Sequence, residues 1–390
     1  GARQATLCRS VRRGSRDSRS RGLEPCLVSG REEDEGSRPK ARAHVGEAEA
    51  TTVAMWSEGE ADFMRRALEV AERGQGRVSP NPPVGCVLVK DGVAIAEGWH
   101  DHLGGLHAEQ MAIHDAEARG VPTNGATAYV TLEPCNHFGR TPPCTESLLW
   151  AGIQRVVVAH PDPNPNVRGR GTDVLREAGL EVEVGLLQPE AARQMRSFLH
   201  WCHHRRPWVT VKVAVDASGS VDDRSGTAAR FTSEGCLDEV HRLRQRCDVI
   251  LVGSETVLRD NPSLTVRRVE HERQPMRVVL DGRGRIEQHA TVLTDGGATM
   301  HLTGDVDLER LLDQLGDQEM QRLLVEGGPS TVHRFLQAGL VDEVLLVHST
   351  VEHADPVPSG LDDDAFRSAG LKQHEPLMWG EERVDVWLRA

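Results

Sequence analysis

Apolar residues recur at helical spacing soon after residue 55, and two strand-like runs follow them. One face of the first predicted helix carries Phe63, Met64, Ala67, Leu68 and Ala71. Gly74 is placed to end this helix. The apolar runs 84–89 and 93–99 flank a turn at Asp91-Gly92, which predicts a β-hairpin.

Helix and strand patterns then alternate as far as residue 184. The predicted elements are a helix over 107–118, a strand over 126–132, a helix over 144–151, a strand over 155–159, a helix over 171–178 and a strand over 182–184. This alternation is typical of an α/β fold in which helices cover a sheet.

A second alternating region begins near Pro207. Its predicted elements are strands over 208–215, 248–252, 276–280, 323–325 and 343–347, with helices over 237–246 and 329–338. A chain of 390 residues is long enough for two ordinary domains. We therefore expect an α/β domain over 55–200 and a second over 207–390, joined by the segment 187–206.

Residues 1–54 follow neither period. Arginine alternates with serine and glycine, an acidic run occupies 32–35, and Met55 directly precedes the first regular helix. This composition predicts a disordered or transit-like extension. The alternative is translated upstream sequence, and we leave the segment out of the predicted fold.

Charge and aromatic content narrow the classes of partner. The formal net charge is −13, so the whole chain has no general attraction for nucleic acid or an anionic membrane. One Tyr and six Phe are too few for a base-stacking platform. Eight dispersed cysteines favour a reducing compartment, which we expect to be the cytoplasm, or a plastid if residues 1–54 are a transit peptide. We expect a small-molecule substrate, no nucleic-acid or membrane partner, and a homo-oligomer.

Three potential zinc ligands lie near a free carboxylate in the first domain. His107, Cys135 and Cys144 offer an imidazole and two thiolates, and a catalytic zinc takes three protein ligands with a fourth position left for water. The metal lowers the pKa of that water towards about 7. Pro134 ends the preceding strand, so that Cys135 is expected at a helix N-terminus, where a thiolate is favoured.

Glu109 is the predicted proton carrier of this site. It follows the ligand His107 by two residues and projects from another side of the helix. From there it can take a proton from the water and deliver it to a leaving amine. The combination of His-x-Glu with a Pro-Cys pair is the signature of zinc deaminases.

Other roles for these cysteines and histidines were considered. Either cysteine alone would more often be an ordinary core thiol, and we assign that role to Cys86, while His114 lies too far along its helix to join the same metal. His203 and His204 are expected to be solvated. Nucleic-acid deaminases usually have Cys-x-x-Cys, whereas eight residues separate these two cysteines. A structural zinc module would leave Glu109 without a role.

The longer spacing belongs to a pattern that resembles the bifunctional riboflavin-biosynthesis deaminase–reductase family. The matching segments are 79–86 (SPNPPVGC), 98–100 (GWH), 107–109 (HAE), 131–144 (TLEPCNHFGRTPPC), 162–165 (DPNP) and 169–171 (GRG). The resemblance implies a cytidine-deaminase-like three-layer α/β/α domain. It also implies that Asn81, His100 and Arg140 contact the pyrimidine or its ribose phosphate.

The second domain resembles the reductase half of the same family. The matching segments are 254–267 (SETVLRDNPSLTVR), 325–329 (VEGGP) and 340–343 (LVDE). The resemblance implies a dihydrofolate-reductase-like α/β fold that uses NADPH. The substrate-binding residues that it implies are Lys212, Arg244, Leu264, Arg267 and Glu326. The cofactor-binding residues that it implies are Ala214, Thr256, Asp260, Gly328 and Pro329.

This half departs from the family pattern in three places. Residues 216–219 read Asp-Ala-Ser-Gly where Ser-Leu-Asp-Gly is usual, and residues 228–231 replace Ser-x-Trp-Ile. Residues 348–352 replace a strand end rich in Pro and Gly. The alternative is therefore a deaminase whose second domain is a non-catalytic folding and dimerisation module.

The resemblance also supplies the reaction. We expect zinc-dependent deamination of 2,5-diamino-6-(5-phosphoribosylamino)pyrimidin-4-one in riboflavin biosynthesis. NADPH would then reduce the ribosyl group to ribityl.

Overall fold

The computed structural model describes residues 56–137, 142–164, 170–223 and 231–389. The chain divides into two units, Gly1–Ala54 and Met55–Ala390, and the extension predicted for residues 1–54 lies outside the described residues. Both sheets described below belong to the second unit, so the division into domains near residues 200–207 stays a prediction. Within the described residues, no helix combines the length and apolar character needed to cross a membrane.

The first sheet has five strands in the order β2-β1-β3-β4-β5. Its strands are β1 (Gly85–Lys90), β2 (Val93–Trp99), β3 (Thr127–Leu132), β4 (Arg155–His160) and β5 (Glu181–Val184). The helices that accompany it are α1 (Glu58–Ala71), α2 (Ala108–Ala118), α3 (Cys144–Trp150) and α4 (Arg170–Glu177). The β1–β2 hairpin pairs antiparallel, and β3, β4 and β5 run parallel. Each predicted strand of this half, and each predicted helix after α1, is confirmed with boundaries shifted by at most one residue.

Side chains from both faces of this sheet are buried, which gives three layers. Alternating residues of β1 show the division, since Leu88 packs in the cluster with α2 and Val87 in the cluster with α1. Helix α1 begins with a capping box, in which Ser57 and Glu60 satisfy each other's backbone amides. The helix ends at Ala71, and a 3-10 turn continues to Gly74, the residue predicted to end it.

The joining segment is helical. It folds as α5 (Gln188–Gln194) and α6 (Arg196–His204), whereas the sequence analysis assigned it no secondary structure. Trp201 of α6 is buried, and its indole N–H donates to the carbonyl oxygen of Gly316 at 2.8 Å. The segment is therefore packed against the second half of the chain.

The second sheet has nine strands, with a parallel centre and an antiparallel C-terminal edge. The strand order is β10-β9-β8-β11-β6-β12-β16-β14, and β15 pairs with β16. The strands are β6 (Trp208–Val215), β8 (Val249–Gly253), β9 (Met276–Asp281), β10 (Thr299–Thr303), β11 (Arg322–Val325), β12 (Glu343–His348), β14 (Leu371–Gln373), β15 (Leu377–Trp379) and β16 (Glu382–Arg389). A small separate sheet pairs β7 (Ser220–Asp223) with β13 (Pro356–Pro358).

Helices cover the second sheet and connect its parallel strands. They are α7 (Glu234–Gln245), α8 (Ser254–Asp260), α9 (Thr291–Thr294), α10 (Leu308–Asp317), α11 (Pro329–Gln337) and α12 (Asp363–Ser368). The predicted strands and helices of this half are confirmed. Because β8, β11 and β6 are parallel neighbours, the residues that follow them meet at one edge of the sheet.

Candidate active sites

The three predicted zinc ligands converge at the carboxyl end of β3. His107 Nδ1 lies 3.5 Å from Cys135 Sγ and 3.3 Å from Cys144 Sγ. The ligand atoms of all three residues lie within 4.8 Å of one another. Zn–N and Zn–S bonds of about 2.0–2.1 and 2.3 Å in a tetrahedron separate nitrogen from sulfur by about 3.5 Å. The geometry and the donor set therefore fit zinc.

Local structure explains how each ligand reaches this point. His107 is the N-cap of α2, and Cys144 is the first residue of α3. Cys135 lies in the loop after β3 and does not itself begin a helix, but its sulfur accepts the N–H of Cys144 at 3.5 Å. The predicted approach of Cys135 to a helix N-terminus therefore occurs in space, at the first turn of α3.

The two thiols differ in acidity. A hydrogen bond from Cys144 and a second from His107 lower the pKa of Cys135 to about 4, although burial opposes this. The same contact with Cys135, together with burial, raises the pKa of Cys144 well above its usual value. The hydrogen bond with Cys135 raises the pKa of His107. The Cys135 thiolate is stabilised by protons on Cys144 and His107. A bound metal cation would take the place of these protons.

Glu109 is enclosed beside the three ligands. Its residue exposure is 3%, and burial, followed by the charge of Cys135, raises the pKa of its carboxyl group. The carboxylate also shares a hydrogen bond with Cys144. A carboxyl group with a raised pKa next to a metal-ligand cluster is suited to move protons near neutral pH.

Asn81 and His100 contact each other next to this cluster. Asn81 Nδ2 lies 3.0 Å from His100 Nε2, and His100 Nδ1 lies 2.9 Å from the carbonyl oxygen of Leu106. The carbonyl requires a proton on Nδ1, which leaves Nε2 to accept from Asn81. Burial lowers the pKa of His100, so the ring is neutral. Its edge packs against the ring of His107 at a centroid distance of 5.3 Å.

Two residues that the sequence analysis did not single out support the ligand loops. Gln110 Oε1 accepts the N–H of His107 at 3.2 Å, and Gln110 Nε2 donates to the carbonyl of Pro142 at 2.8 Å. Glu133 accepts the N–H of Asp162 and the N–H of Thr172, each at 3.1 Å. In the sequence, the only signal for these roles was a Gln or Glu next to a signature motif. The partners Pro142, Asp162 and Thr172 are too distant in sequence to be identified from it.

The remaining predictions for this half are simple to place. Arg140 lies outside the described residues. Cys86 is fully buried in β1, which confirms its assignment to the core. His114 is exposed, as are His203 and His204.

In the second half, Arg244 and Glu326 form a buried ion pair. Arg244 Nε and Nη2 donate to the two carboxylate oxygens of Glu326 at 2.7 and 2.6 Å. Burial alone would raise the pKa of Glu326, but Arg244 holds it below the usual value. Lys212 of β6 lies in the field of this pair, and burial lowers the pKa of its ammonium group. Arg244 therefore directs two of its donors to Glu326, and its assignment to substrate binding stays a prediction.

The residues implied for the cofactor line the same sheet edge. Ala214 lies two residues after Lys212, on the same face of β6. Gly328 is the N-cap of α11 and Pro329 its first residue, and a Cβ on Gly328 would lie 4.0 Å from Thr256 Oγ1. Asp260 ends α8, and burial raises the pKa of its carboxyl group.

Leu264 and Arg267 lie on the loop that follows α8. Leu264 is buried and has a positive φ of 54°. Arg267 Nη1 donates to Ser263 Oγ at 3.2 Å, and its backbone N–H donates to His241 Nδ1 at 3.2 Å. The hydrogen bond to His241 therefore fixes the backbone position of Arg267.

The departure from the family pattern at residues 216–219 has a structural counterpart. Asp216 Oδ1 accepts the N–H and the hydroxyl of Ser218 at 2.8 and 2.7 Å. The usual Ser-x-Asp is reversed to Asp-x-Ser, and the two side chains contact each other. Burial alone would raise the pKa of Asp216, but hydrogen bonds from His353, Ser220 and Ser218 hold it well below its usual range.

His353, a further residue that the sequence analysis missed, packs beside Asp216. Its Nδ1 lies 3.0 Å from Asp216 Oδ2, and its ring meets that of Phe231 edge-on at 4.8 Å. Phe231, which ends the replaced segment 228–231, and Asp216 therefore both contact His353, next to the replaced segment 348–352.

Two family models match separate parts of the chain. The cytidine and deoxycytidylate deaminase zinc-binding region matches residues 57–160, and the RibD C-terminal domain matches residues 207–351. The second match favours the reductase interpretation over the structural-module alternative.

Curated relatives match both parts. A riboflavin biosynthesis protein RibD from Aquifex aeolicus is 42% identical over 243 residues, which cover 62% of this chain and 67% of that protein. The RibD protein of Escherichia coli is 38% identical over 317 residues, which cover 73% of this chain and 86% of that protein.

A solved structure from Thermotoga maritima shares the fold. It is described as a diaminohydroxyphosphoribosylaminopyrimidine deaminase/5-amino-6-(5-phosphoribosylamino)uracil reductase. It is 36% identical, has a TM-score of 0.78, and covers 85% of this chain and 99% of its own.

Proposed function

Because the chain belongs to the RibD family of riboflavin biosynthesis proteins, we propose that it catalyses two consecutive reactions on a pyrimidine ribosyl phosphate. The first half removes an amino group from 2,5-diamino-6-(5-phosphoribosylamino)pyrimidin-4-one. The second half reduces the ribosyl group of the product to ribityl with NADPH. The observation that carries the first reaction is the His107, Cys135 and Cys144 cluster with the enclosed Glu109 beside it.

The deamination assigns one role to each residue. His107, Cys135 and Cys144 would hold zinc, which when bound lowers the pKa of a coordinated water. Glu109 takes a proton from the attacking water and returns it to the departing amine, so that ammonia leaves and a carbonyl remains. The raised pKa of Glu109 suits both transfers.

Substrate orientation falls to Asn81, His100 and Arg140. The hydrogen bond from the Asn81 amide to His100 holds Asn81 in place. Because His100 is neutral, this contact adds no charge beside the three metal ligands. The side-chain oxygen of Asn81 can accept a hydrogen bond from the pyrimidine. We assign Arg140 to the phosphate, because its guanidinium matches phosphate oxygens in pairs.

The reduction uses the carboxyl edge of the second sheet. We assign substrate binding in this half to Lys212, Arg244, Leu264, Arg267 and Glu326. Arg244 also holds the carboxylate of Glu326 in position. We assign the cofactor to Ala214, Thr256, Asp260, Gly328 and Pro329. When bound there, NADPH would supply the hydride that C1 of the ribosyl group takes up. The bond to the ring oxygen breaks, the ring oxygen takes a proton, and the open ribityl chain remains.

An assay of the full chain tests both reactions. Purified protein is analysed for zinc, then for ammonia release from the diaminopyrimidinone and for NADPH oxidation with the deaminated product. We expect about one zinc per chain and both activities. Ammonia release without NADPH oxidation contradicts the second reaction. Zinc-bearing protein without ammonia release contradicts the first reaction, and full ammonia release by zinc-free protein contradicts the role of the metal.

Assembly and location are further proposals. We propose that the chain forms a homo-oligomer. We also propose a reducing compartment, which the dispersed free cysteines among the described residues support. Light scattering of the purified chain measures the assembly, and a monomeric mass at micromolar concentration contradicts it.

A further inference from the structure

The segment before Asn81 lies between the two sheets. On one side, a Cβ on Gly74 would meet the carbonyl oxygen of His100 at 2.4 Å. On the other side, a Cβ on Gly76 would meet the carbonyl oxygen of Gln245 at 2.4 Å. No side chain fits at either position without displacement of the backbone. Residues 74–81 are thus in backbone contact with both a deaminase-site residue and a reductase-half helix.

Two buried side chains of the second half hold the two residues that directly precede Asn81. Ser79 Oγ donates to Asp248 Oδ1 at 2.7 Å. Gln321 Nε2 donates to the carbonyl oxygen of Pro80. Asp248 and Gln321 are each 4% exposed. We call Asp248 and Gln321 the reductase-side clamp.

The clamp is itself fixed by the second sheet. The other carboxylate oxygen of Asp248 accepts the N–H of Gln321 at 2.8 Å and the N–H of Arg322 at 2.9 Å. Arg273 Nη2 donates to Asp248 Oδ1 at 2.7 Å, and Arg273 Nε donates to the carbonyl of Gly76 at 2.9 Å. The carboxylate therefore joins the starts of β8 and β11 to the segment 76–79.

A short series of contacts connects the clamp to the deaminase site. The N–H of Asn81 donates to the carbonyl of Val78 at 2.9 Å, which closes a turn over the clamped residues. The Asn81 amide contacts His100 at 3.0 Å, and the His100 ring packs against that of the ligand His107. A shift of residues 79 and 80 would therefore move Asn81 relative to the pyrimidine.

We propose that Asp248 and Gln321 are positioning residues for the deamination, although they belong to the reductase half. This inference rests on the proposed function, because it assigns Asn81 to substrate binding. The clamp touches neither the zinc ligands nor Glu109, which are carried by α2, α3 and the loop after β3. It therefore controls how well the pyrimidine is bound and leaves the proton transfers unchanged.

The test compares variants that release the loop at one point each. Ser79→Ala removes the donor to Asp248, and Gln321→Leu removes the donor to Pro80. Matched controls are Ser368→Ala and Gln373→Leu, both at exposed positions of the second half. Each full-length variant is analysed for zinc content, for KM and kcat of ammonia release, and for kcat/KM of reduction of the deaminated product.

We expect KM for the diaminopyrimidinone to rise about tenfold in each clamp variant, as the loss of a buried hydrogen bond at a binding loop allows. We expect kcat, zinc content and the reduction to stay unchanged, and the controls to match the wild type. The double variant Ser79→Ala/Gln321→Leu should raise KM by less than the product of the single effects, because both bonds hold the same loop.

The outcomes separate the inference from the proposed function. Wild-type protein that deaminates, with clamp variants of unchanged KM, overturns the positioning role alone. A fall of kcat in step with lost zinc also overturns it, because that pattern indicates general damage. Wild-type protein that holds zinc and releases no ammonia overturns the deaminase assignment and the inference with it.

Discussion

Arg244 and Glu326 face each other in a two-pronged ion pair at the reductase edge, with bonds of 2.6 and 2.7 Å. Each side chain is 11% exposed, so neither charge is well solvated. Lys212 lies beside them, and its positive charge also lowers the pKa of Glu326. The pair fixes the orientation of the carboxylate that Lys212 faces.

Arg244→Met should destabilise the protein and abolish the reduction. Removal of one partner leaves a buried carboxylate uncompensated, and we expect the free energy of unfolding to fall by about 3 kcal/mol. NADPH oxidation should be lost while ammonia release persists. Urea titrations and the two assays measure these effects.

Two variants control this prediction. Arg242→Met breaks an exposed pair with Glu239 on the same helix and should change the unfolding free energy by less than about 1 kcal/mol. Arg244→Met/Glu326→Leu removes both charges and should recover stability without recovering reduction. Equal destabilisation by Arg242→Met and Arg244→Met would contradict the role of burial.

Glu109→Gln should retain zinc and lose deamination. The ligand atoms are untouched, but an amide cannot shuttle the proton, and we expect ammonia release to fall by about 10²- to 10⁴-fold. NADPH oxidation with the deaminated product should continue. Glu117→Gln, at an exposed position of the same helix, serves as the control. Deamination that survives Glu109→Gln would refute the proton-transfer role.

Gln110→Leu should weaken the zinc site without touching a ligand. The side chain joins the His107 amide to the Pro142 carbonyl, two residues before Cys144. Loss of such support around metal ligands costs about 10- to 100-fold in metal affinity. Equilibrium competition with a chromogenic chelator measures the zinc affinity, and weaker affinity appears as greater zinc release to the chelator.

Gln110→Glu separates the two contacts, because it keeps the acceptor for His107 and removes the donor to Pro142. We expect intermediate zinc release from this variant. Gln314→Leu, at an exposed position of α10, is the control. Wild-type zinc release from Gln110→Leu would show that the ligand loops hold without this bridge.

His241 should make stability fall in acid. Burial, followed by the charges of Arg244 and Arg267, lowers the pKa of His241 to about 4. Its Nδ1 accepts the N–H of Arg267, which requires the neutral ring. A histidine with a depressed folded-state pKa stabilises the protein above its unfolded-state pKa of about 6.5. That contribution is lost as pH falls from about 6.5 to about 4.

His241→Asn tests this pH dependence, because Asn keeps an acceptor but does not titrate. We expect the variant to lose up to about 3 kcal/mol less stability than the wild type between pH 6.5 and pH 4. His289→Gln, at a side chain that is 82% exposed, should follow the wild-type curve. Parallel curves for His241→Asn and the wild type would contradict the prediction. The stability of each protein is measured at equal zinc content.

The pattern of residues along the chain was sufficient to predict most elements of both sheets. Strands such as β4 and β8 contain continuous apolar runs, because both of their faces are buried. The elements that were not predicted are several short ones and also α10 and β16, which have ten and eight residues. β15, with Leu377 and Met378 exposed, carries no alternating pattern, since it pairs with one neighbour at an edge.

By itself, the sequence was sufficient to predict three candidate ligands of a metal centre and the carboxylate beside them. His107 and Glu109 lie in one helical turn, and each cysteine follows or begins a predictable element, so local structure was enough to place them. The tertiary structure decided which partner each charged group meets. Arg244 and Glu326 are 82 residues apart, and Ser79 and Asp248 are 169 apart. Such pairs depend on strand order and on helix packing against the sheet. Those are set by burial of the whole core, and the local spacing of residues does not encode them.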